Sequence, residues 1–247
     1  ALAIVGLPLS GPKLMKNDMS LLMRGASEGL AENGTVLVGG HTNEADEINI
    51  GFSAYGEVEE RTLIRKTGAV HGDLIILTRP LGSGVLFAGA MKGLTKGRWI
   101  STTLQEMTQS NANASNIFAE CGATSLTDIT GFGLVGHLSE MIRGSGEGAT
   151  IFIEKLPFYD GALPLAKLGI ESTLKPENIK INHIATDKIK ASTKYQVCFD
   201  PQTAGGLLAT VSAQAADACL NNLIEAGYTK AAIIGQISSV SGELRIC

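Results

Sequence analysis

"SLTDITGFGLVGHLSEM", Ser125 to Met141, sets an acid directly ahead of a glycine-rich loop that opens into an apolar-striped segment. Leu134, Val135, Leu138, Met141 and Ile142 recur at helical spacing, which predicts a helix with one inward-packed face and leaves Asp128 at its exposed entrance. A glycine loop at a helix start offers backbone N–H groups and a positive dipole end to an anion such as phosphate. A carboxylate in the same mouth repels that anion. Three readings resolve the conflict: Asp128 caps the helix, acts as a base on an uncharged substrate, or shares a divalent cation with a phosphate. Thr130, Gly131, Phe132 and Gly133 intervene before the helix, one loop too many for a simple cap, which favours a ligand or metal role.

Around this stretch the chain alternates strand-like and helix-like segments. "ALAIVGL" reads as a strand, and "NDMSLLMRGASEGLAENG" as a helix capped at Asn17 or Asp18 and stopped at Gly34. "TVLVGG" reads as a short buried strand, and "INIGFSAYGEVEE" alternates as an antiparallel strand does. A domain boundary is expected near Lys66 to Gly72, giving domains of residues 1–70 and 71–247. Beyond it come strand "LIILT", a helix from about Gly84 and a second helix through "TLQEMTQSNANASNIFAECG". After Met141 the reading is "TIFIEK", a polar loop over residues 171–191 whose composition suggests mobility, then strands "YQVCF" and "GGLLATV". A helix from Ala213 to Ala226 and strands "AAIIGQI" and "ELRIC" close the chain. No internal repeat is visible.

The composition narrows the function. With 247 residues the chain can bury a substantial core. A net charge of −4 and no basic run give nucleic acid or an anionic membrane no electrostatic footprint. No stretch reaches the roughly 18 apolar residues of a membrane span. The opening "ALAIVGLPLS" has neither a basic leader nor an initiator Met, so a truncated or processed product is expected. Cys121, Cys198, Cys219 and Cys247 are scattered, without a C-x-x-C pair or a His at ligand spacing, and read as free thiols of a reducing cytoplasm.

Two further motifs invite chemistry. "VLVGGHT", Val36 to Thr42, places Gly39 and Gly40 where main-chain N–H groups can approach a ligand, with His41 and Thr42 as side-chain donors; a tight turn with a surface His explains the same residues. "DPQTAGGLL", Asp200 to Leu208, reads as a turn that starts an apolar strand, and Asp200 takes a structural role. His137 falls near Leu134 on the helix and reads as a satisfied, partly buried side chain. Trp99, His71 and His183 have no partners visible in the sequence.

"LVGGHT", "GDLIILTRPLGSG", "TDITGFGLVGHLSEM" and "DPQTAGGLL" together resemble selenophosphate synthase (selenide, water dikinase) in order and spacing, over Leu37 to Leu208. Asp128 and Phe132 separate this pattern from that of aminoimidazole ribonucleotide synthetase and of thiamine-monophosphate kinase, which share the superfamily. The resemblance implies an α+β fold of two domains: the end of an N-terminal β-rich, ATP-binding and dimerising domain, then an α/β domain of the aminoimidazole ribonucleotide synthetase type. It implies a homodimer that converts selenide, ATP and water to selenophosphate, AMP and orthophosphate with magnesium. By position, Asp128 is then a magnesium ligand, and Gly39, Gly40 and His41 form the segment that reaches ATP.

The same resemblance sets the family's nucleophilic Cys or selenocysteine, its Lys and its other magnesium-binding aspartates upstream of Ala1. The chain is therefore expected to be N-terminally truncated and inactive alone, with none of its own cysteines in the nucleophile role. Another ATP-using enzyme of the superfamily, or a scaffold paralogue that has lost catalysis, are the alternatives.

Overall fold

In the computed structural model, which describes the backbone of residues 1–247 and every side chain but that of Arg61, the chain divides into two compact units, Ala1–Leu63 and Ile64–Cys247. The first begins with strand β1 (Leu2–Leu7), followed by helix α1 (Pro12–Glu32), strand β2 (Gly39–Glu44) and strand β3 (Asn49–Ser53). The sheet order is β2-β1-β3, with β2 parallel and β3 antiparallel to β1. Alternation along β1 buries Ala3 and Val5 and leaves Leu2 and Ile4 exposed on the other face.

Two expectations for this unit need correction. Helix α1 starts at Pro12, ahead of the Asn17 or Asp18 cap, because proline is preorganised for the first helical turn. "TVLV" is not a buried strand. The strand begins at Gly39, and all of β2 is exposed.

The second unit carries strand β4 (Leu74–Leu77), helices α2 (Ser83–Met91), α3 (Gly97–Thr108) and α4 (Ala112–Glu120), strand β5 (Ser125–Asp128), helix α5 (Gly133–Ser145) and strand β6 (Gly148–Ile151). Helices α6 (Ala162–Lys167) and α7 (Lys175–Asn178), strand β7 (Ile184–Ala185) and helices α8 (Asp187–Lys190) and α9 (Thr193–Val197) follow. Strand β8 (Leu207–Val211), helix α10 (Ala216–Glu225) and strands β9 (Ala232–Ser238) and β10 (Leu244–Ile246) complete it. The strands form one mixed sheet in the order β5-β8-β4-β9-β6-β10-β7.

Both faces of this sheet are covered, which is why "LIIL" and "LLATV" are apolar without alternation. Ile75, Leu77 and Leu208 belong to the core formed with Leu134, Leu138, Met141 and Ile142 of α5. Ile76, Ala209 and Val211 face the other way, against Ala114 and Phe118 of α4 and Cys219 and Leu223 of α10.

Three readings are corrected here. "YQVCF" is helix α9 with its following residues, not a strand: the Ser192 side chain accepts the Tyr195 N–H and starts a turn that the β-prone composition had masked. The helix expected through residues 103–122 breaks at Gln109–Asn111, where Arg79 donates to the Gln109 carbonyl and the Tyr228 hydroxyl to the Ser110 carbonyl. The polar loop 171–191 contains α7, α8 and β7, with β7 paired to β10.

Candidate functional site

Asp128 ends β5 opposite Leu207 of β8 and is exposed. The chain beyond it is tied at nearly every peptide. Ile129 donates its N–H to the Gly206 carbonyl at 3.0 Å. The Thr130 carbonyl accepts from Gln202 (3.0 Å) and Gly133 (3.1 Å), and the Thr130 N–H donates to His137 Nε2 at 3.0 Å. Asn178 Nδ2 donates to the carbonyls of both Gly131 and Phe199. Gly133 lies at φ +65°, and a side chain there would meet the Phe199 carbonyl carbon at 2.8 Å, so glycine is required. Gly131 has open space around it.

The geometry settles part of the opening conflict. Helix α5 has Phe132 at its N-cap position and no side-chain cap, so Asp128 is not a cap. Two N–H groups at the helix start are engaged within the fold, Gly133 to Thr130 and Val135 to Cys198. Part of the anion-binding capacity of that helix terminus is therefore already used within the fold. None of the described residues donates a hydrogen bond to the Asp128 carboxylate, and among them no group of three His, Cys, Asp or Glu side chains could hold a metal by itself. That donor set fits magnesium, which takes one or two carboxylates and completes its shell with phosphate oxygens and water.

The loop is backed by the "DPQTAGG" turn. Gly205 runs so close to Ile129 that a Cβ would sit 1.9 Å from the Ile129 oxygen. Arg79, buried, donates to the Ala204 carbonyl at 2.9 Å and holds the positive φ of Ala204 (46°); burial lowers its pKa. Gln202 Oε1 accepts from Gly82 and Ser83. These supports were not legible in the sequence, because each joins segments far apart along the chain.

Asp200 is fully buried and accepts from the Ser172 N–H at 2.8 Å and the Ser172 hydroxyl at 2.6 Å. Burial raises its pKa, against the hydrogen bonds from Ser172. These two contacts tie the start of the "DPQTAGG" turn to Ser172. Asp200→Asn keeps both contacts by donating to the hydroxyl, and is expected to change stability by less than about 1 kcal/mol; Asp200→Ala leaves the part-buried Ser172 donors unpaired and should cost about 1–3 kcal/mol in urea unfolding. Equal losses for the two variants would contradict this.

His137 is buried, and burial lowers its pKa ahead of the opposing pull of Glu140 and Asp128. His183 is not partnerless: it contacts the Ile181 carbonyl and the Tyr195 hydroxyl, each at 2.6 Å. Trp99 packs against Gly161 and lies under Lys96.

In the other unit, Gly39, Gly40 and His41 open β2 and border a cavity of about 450 Å³ with Ala3, Val5, Met19 and Met23. A Cβ on Gly40 would sit 2.0 Å from the Ala3 oxygen, so close pairing with β1 alone demands glycine there. Gly39 is under no such demand, its nearest neighbour being Leu2 at 3.4 Å.

Residues 70–246 match the family described as AIR synthase related protein, C-terminal domain. Selenide, water dikinase 2 of Peptoclostridium acidaminophilum is 32% identical over 247 residues, 96% of this chain and 71% of that protein. The chain belongs to the selenide, water dikinase family. The selenide, water dikinase of Pelobacter propionicus is 33% identical over 225 residues, 89% of this chain and 65% of that protein. The chain thus spans about two thirds of the length of these relatives. The fold is shared with the hydrogenase maturation protein HypE in complex with ATP, at a TM-score of 0.72 and 18% identity over 99% of this chain and 68% of that one. The α+β, aminoimidazole ribonucleotide synthetase-like fold expected of the family is the one observed.

Proposed function

We propose that this chain is part of a selenophosphate synthase, which makes selenophosphate, AMP and orthophosphate from selenide, ATP and water in the cytoplasm. The observation that carries the reading is the exposed, unpartnered Asp128 carboxylate on a rigidly held loop in a chain of the selenide, water dikinase family. Asp128 is assigned to a magnesium ion that also contacts ATP phosphates. Such an ion neutralises charge as a phosphoryl group is transferred. The protein contributes a fixed position for the carboxylate, and the open space at Gly131 leaves room for a ligand beside it.

Gly39, Gly40 and His41 are assigned to nucleotide contact. Strand β2 offers them on an exposed surface bordering a cavity, and Gly39 has no structural need to be glycine. ATP in the HypE relative is in keeping with a nucleotide role for the shared fold. The catalytic nucleophile and its Lys are assigned to sequence outside these residues. Residues 1–70 act as the ATP-binding and dimerising part and residues 71–247 as the magnesium-bearing part.

With only one carboxylate assigned to magnesium and one glycine segment assigned to the nucleotide, the 247-residue chain is expected to bind Mg-ATP weakly and not to turn it over. Calorimetric titration with Mg-ATP tests this, and low-micromolar affinity would overturn it. The chain is also expected to dimerise. Strand β3 is a sheet edge, and Leu2 and Ile4 leave an apolar face of β1 exposed. Sedimentation velocity over a range of concentrations measures the association, and a monomer at the highest of them counts against it.

A further inference from the structure

We propose that His137 is a positioning residue for Asp128: as the neutral Nδ1–H tautomer, it accepts the Thr130 N–H on Nε2 and locks the loop that presents the carboxylate. The proposal rests on the reading of Asp128 as a magnesium ligand.

The Thr130 N–H lies 3.0 Å from Nε2, with the Thr130 hydroxyl at 3.3 Å. A backbone N–H can only donate, so Nε2 must present its lone pair and the ring proton must reside on Nδ1. Nδ1 is buried and makes no hydrogen bond; the Glu140 carboxylate is 3.8 Å away and already engaged by Lys66 at 2.9 Å. The ring therefore gives up one of its two polar contacts, and the contact it keeps is the one on the loop. The two peptides that flank the Thr130 Cα are both held, one by His137 through the Thr130 N–H and the other by Gln202 and Gly133 through the Thr130 carbonyl. Thr130 is two residues from Asp128, so these two peptides fix the path of the chain between the end of β5 and the start of α5. Phe132, exposed, tilts over the same imidazole at 5.6 Å between ring centroids, which joins both halves of the loop to one side chain.

Two measurements test this on the 247-residue chain. The ¹⁵N shifts of the His137 ring should report a protonated Nδ1 and an unprotonated Nε2; a protonated Nε2 overturns the proposal whatever Asp128 does. Paramagnetic broadening by Mn²⁺ with ATP should then rank three variants. His137→Leu removes the acceptor and should weaken broadening of the Asp128 loop about tenfold, the scale of one hydrogen bond left unmade. His137→Gln brings a side-chain oxygen to the place of Nε2 and should restore most of it. Asp128→Asn should abolish it. Loss with Asp128→Asn but wild-type behaviour with His137→Leu refutes the positioning role alone. Equal loss in His137→Leu and His137→Gln also refutes it, since a packing role does not distinguish them by acceptor. Wild-type broadening in Asp128→Asn refutes the metal reading itself.

Discussion

Asp128→Asn is expected to slow AMP formation from ATP and selenide by about a hundredfold or more in a full-length selenophosphate synthase carrying this chain, while leaving its fold intact. A fixed charge that organises a metal-bound phosphate is worth roughly that much in rate. Asparagine keeps the shape and one oxygen and deletes only the charge the cation requires. Stability should move by less than about 0.5 kcal/mol, because the carboxylate is exposed and takes no hydrogen bond from the described residues. Initial rates over a magnesium titration decide the matter. Wild-type turnover with unchanged magnesium dependence would falsify the metal assignment.

The second large effect is on stability. Gly205→Ala would drive a Cβ to 1.9 Å from the Ile129 carbonyl, and the neighbour is backbone that cannot swing aside. Overpacking of this kind costs about 1–3 kcal/mol, which for a domain of this size lowers Tm by about 2–4 °C per kcal/mol. The Ile129 peptide must shift, and Asp128 shifts with it. Gly131→Ala is the contrasting variant. Its surroundings are open and its φ is not in the left-handed region, so unfolding should be unaffected within about 0.5 kcal/mol. Any loss of turnover in Gly131→Ala then reports ligand approach to the loop. Equal melting temperatures for wild type and Gly205→Ala would show that the turn is softer than its packing indicates.

Much of the second unit was legible because its signals are local. The stripe of α5 is periodic, and the apolar runs of β4 and β8 are short and bounded by turn residues, so both element type and burial follow from sequence. Helix α9 was misread because Tyr195, Val197 and Phe199 favour strands, while the Ser192 cap that decides the matter is a single residue. The break between α3 and α4 could not be foreseen, since Arg79 and Tyr228 come to Gln109 and Ser110 from distant parts of the chain. The same holds at the site. Asp128 stood out by its residue type and place, whereas the hydrogen bonds that immobilise it run through Gln202, Asn178 and Gly206. At Gly39–His41 the motif was visible, but its start-of-strand position was not, because the apolar "TVLV" preceding it carries the stronger strand signal.

Helix α1 runs for 21 residues without burying one of them, and the sheet it accompanies leaves an apolar face uncovered. A layer so thinly packed draws little stability from its own contacts, so its local opening free energy lies at the low end of the molecule. Any surface that covers that face also steadies β2, and with it Gly39, Gly40 and His41. On the proposed assignment of Gly39–His41 to nucleotide contact, covering and nucleotide binding are expected to be thermodynamically linked, each strengthening the other by the same factor. With a second copy of the chain as the cover, apparent nucleotide affinity is then expected to rise with protein concentration, and ATP to lower the concentration at which the copies associate.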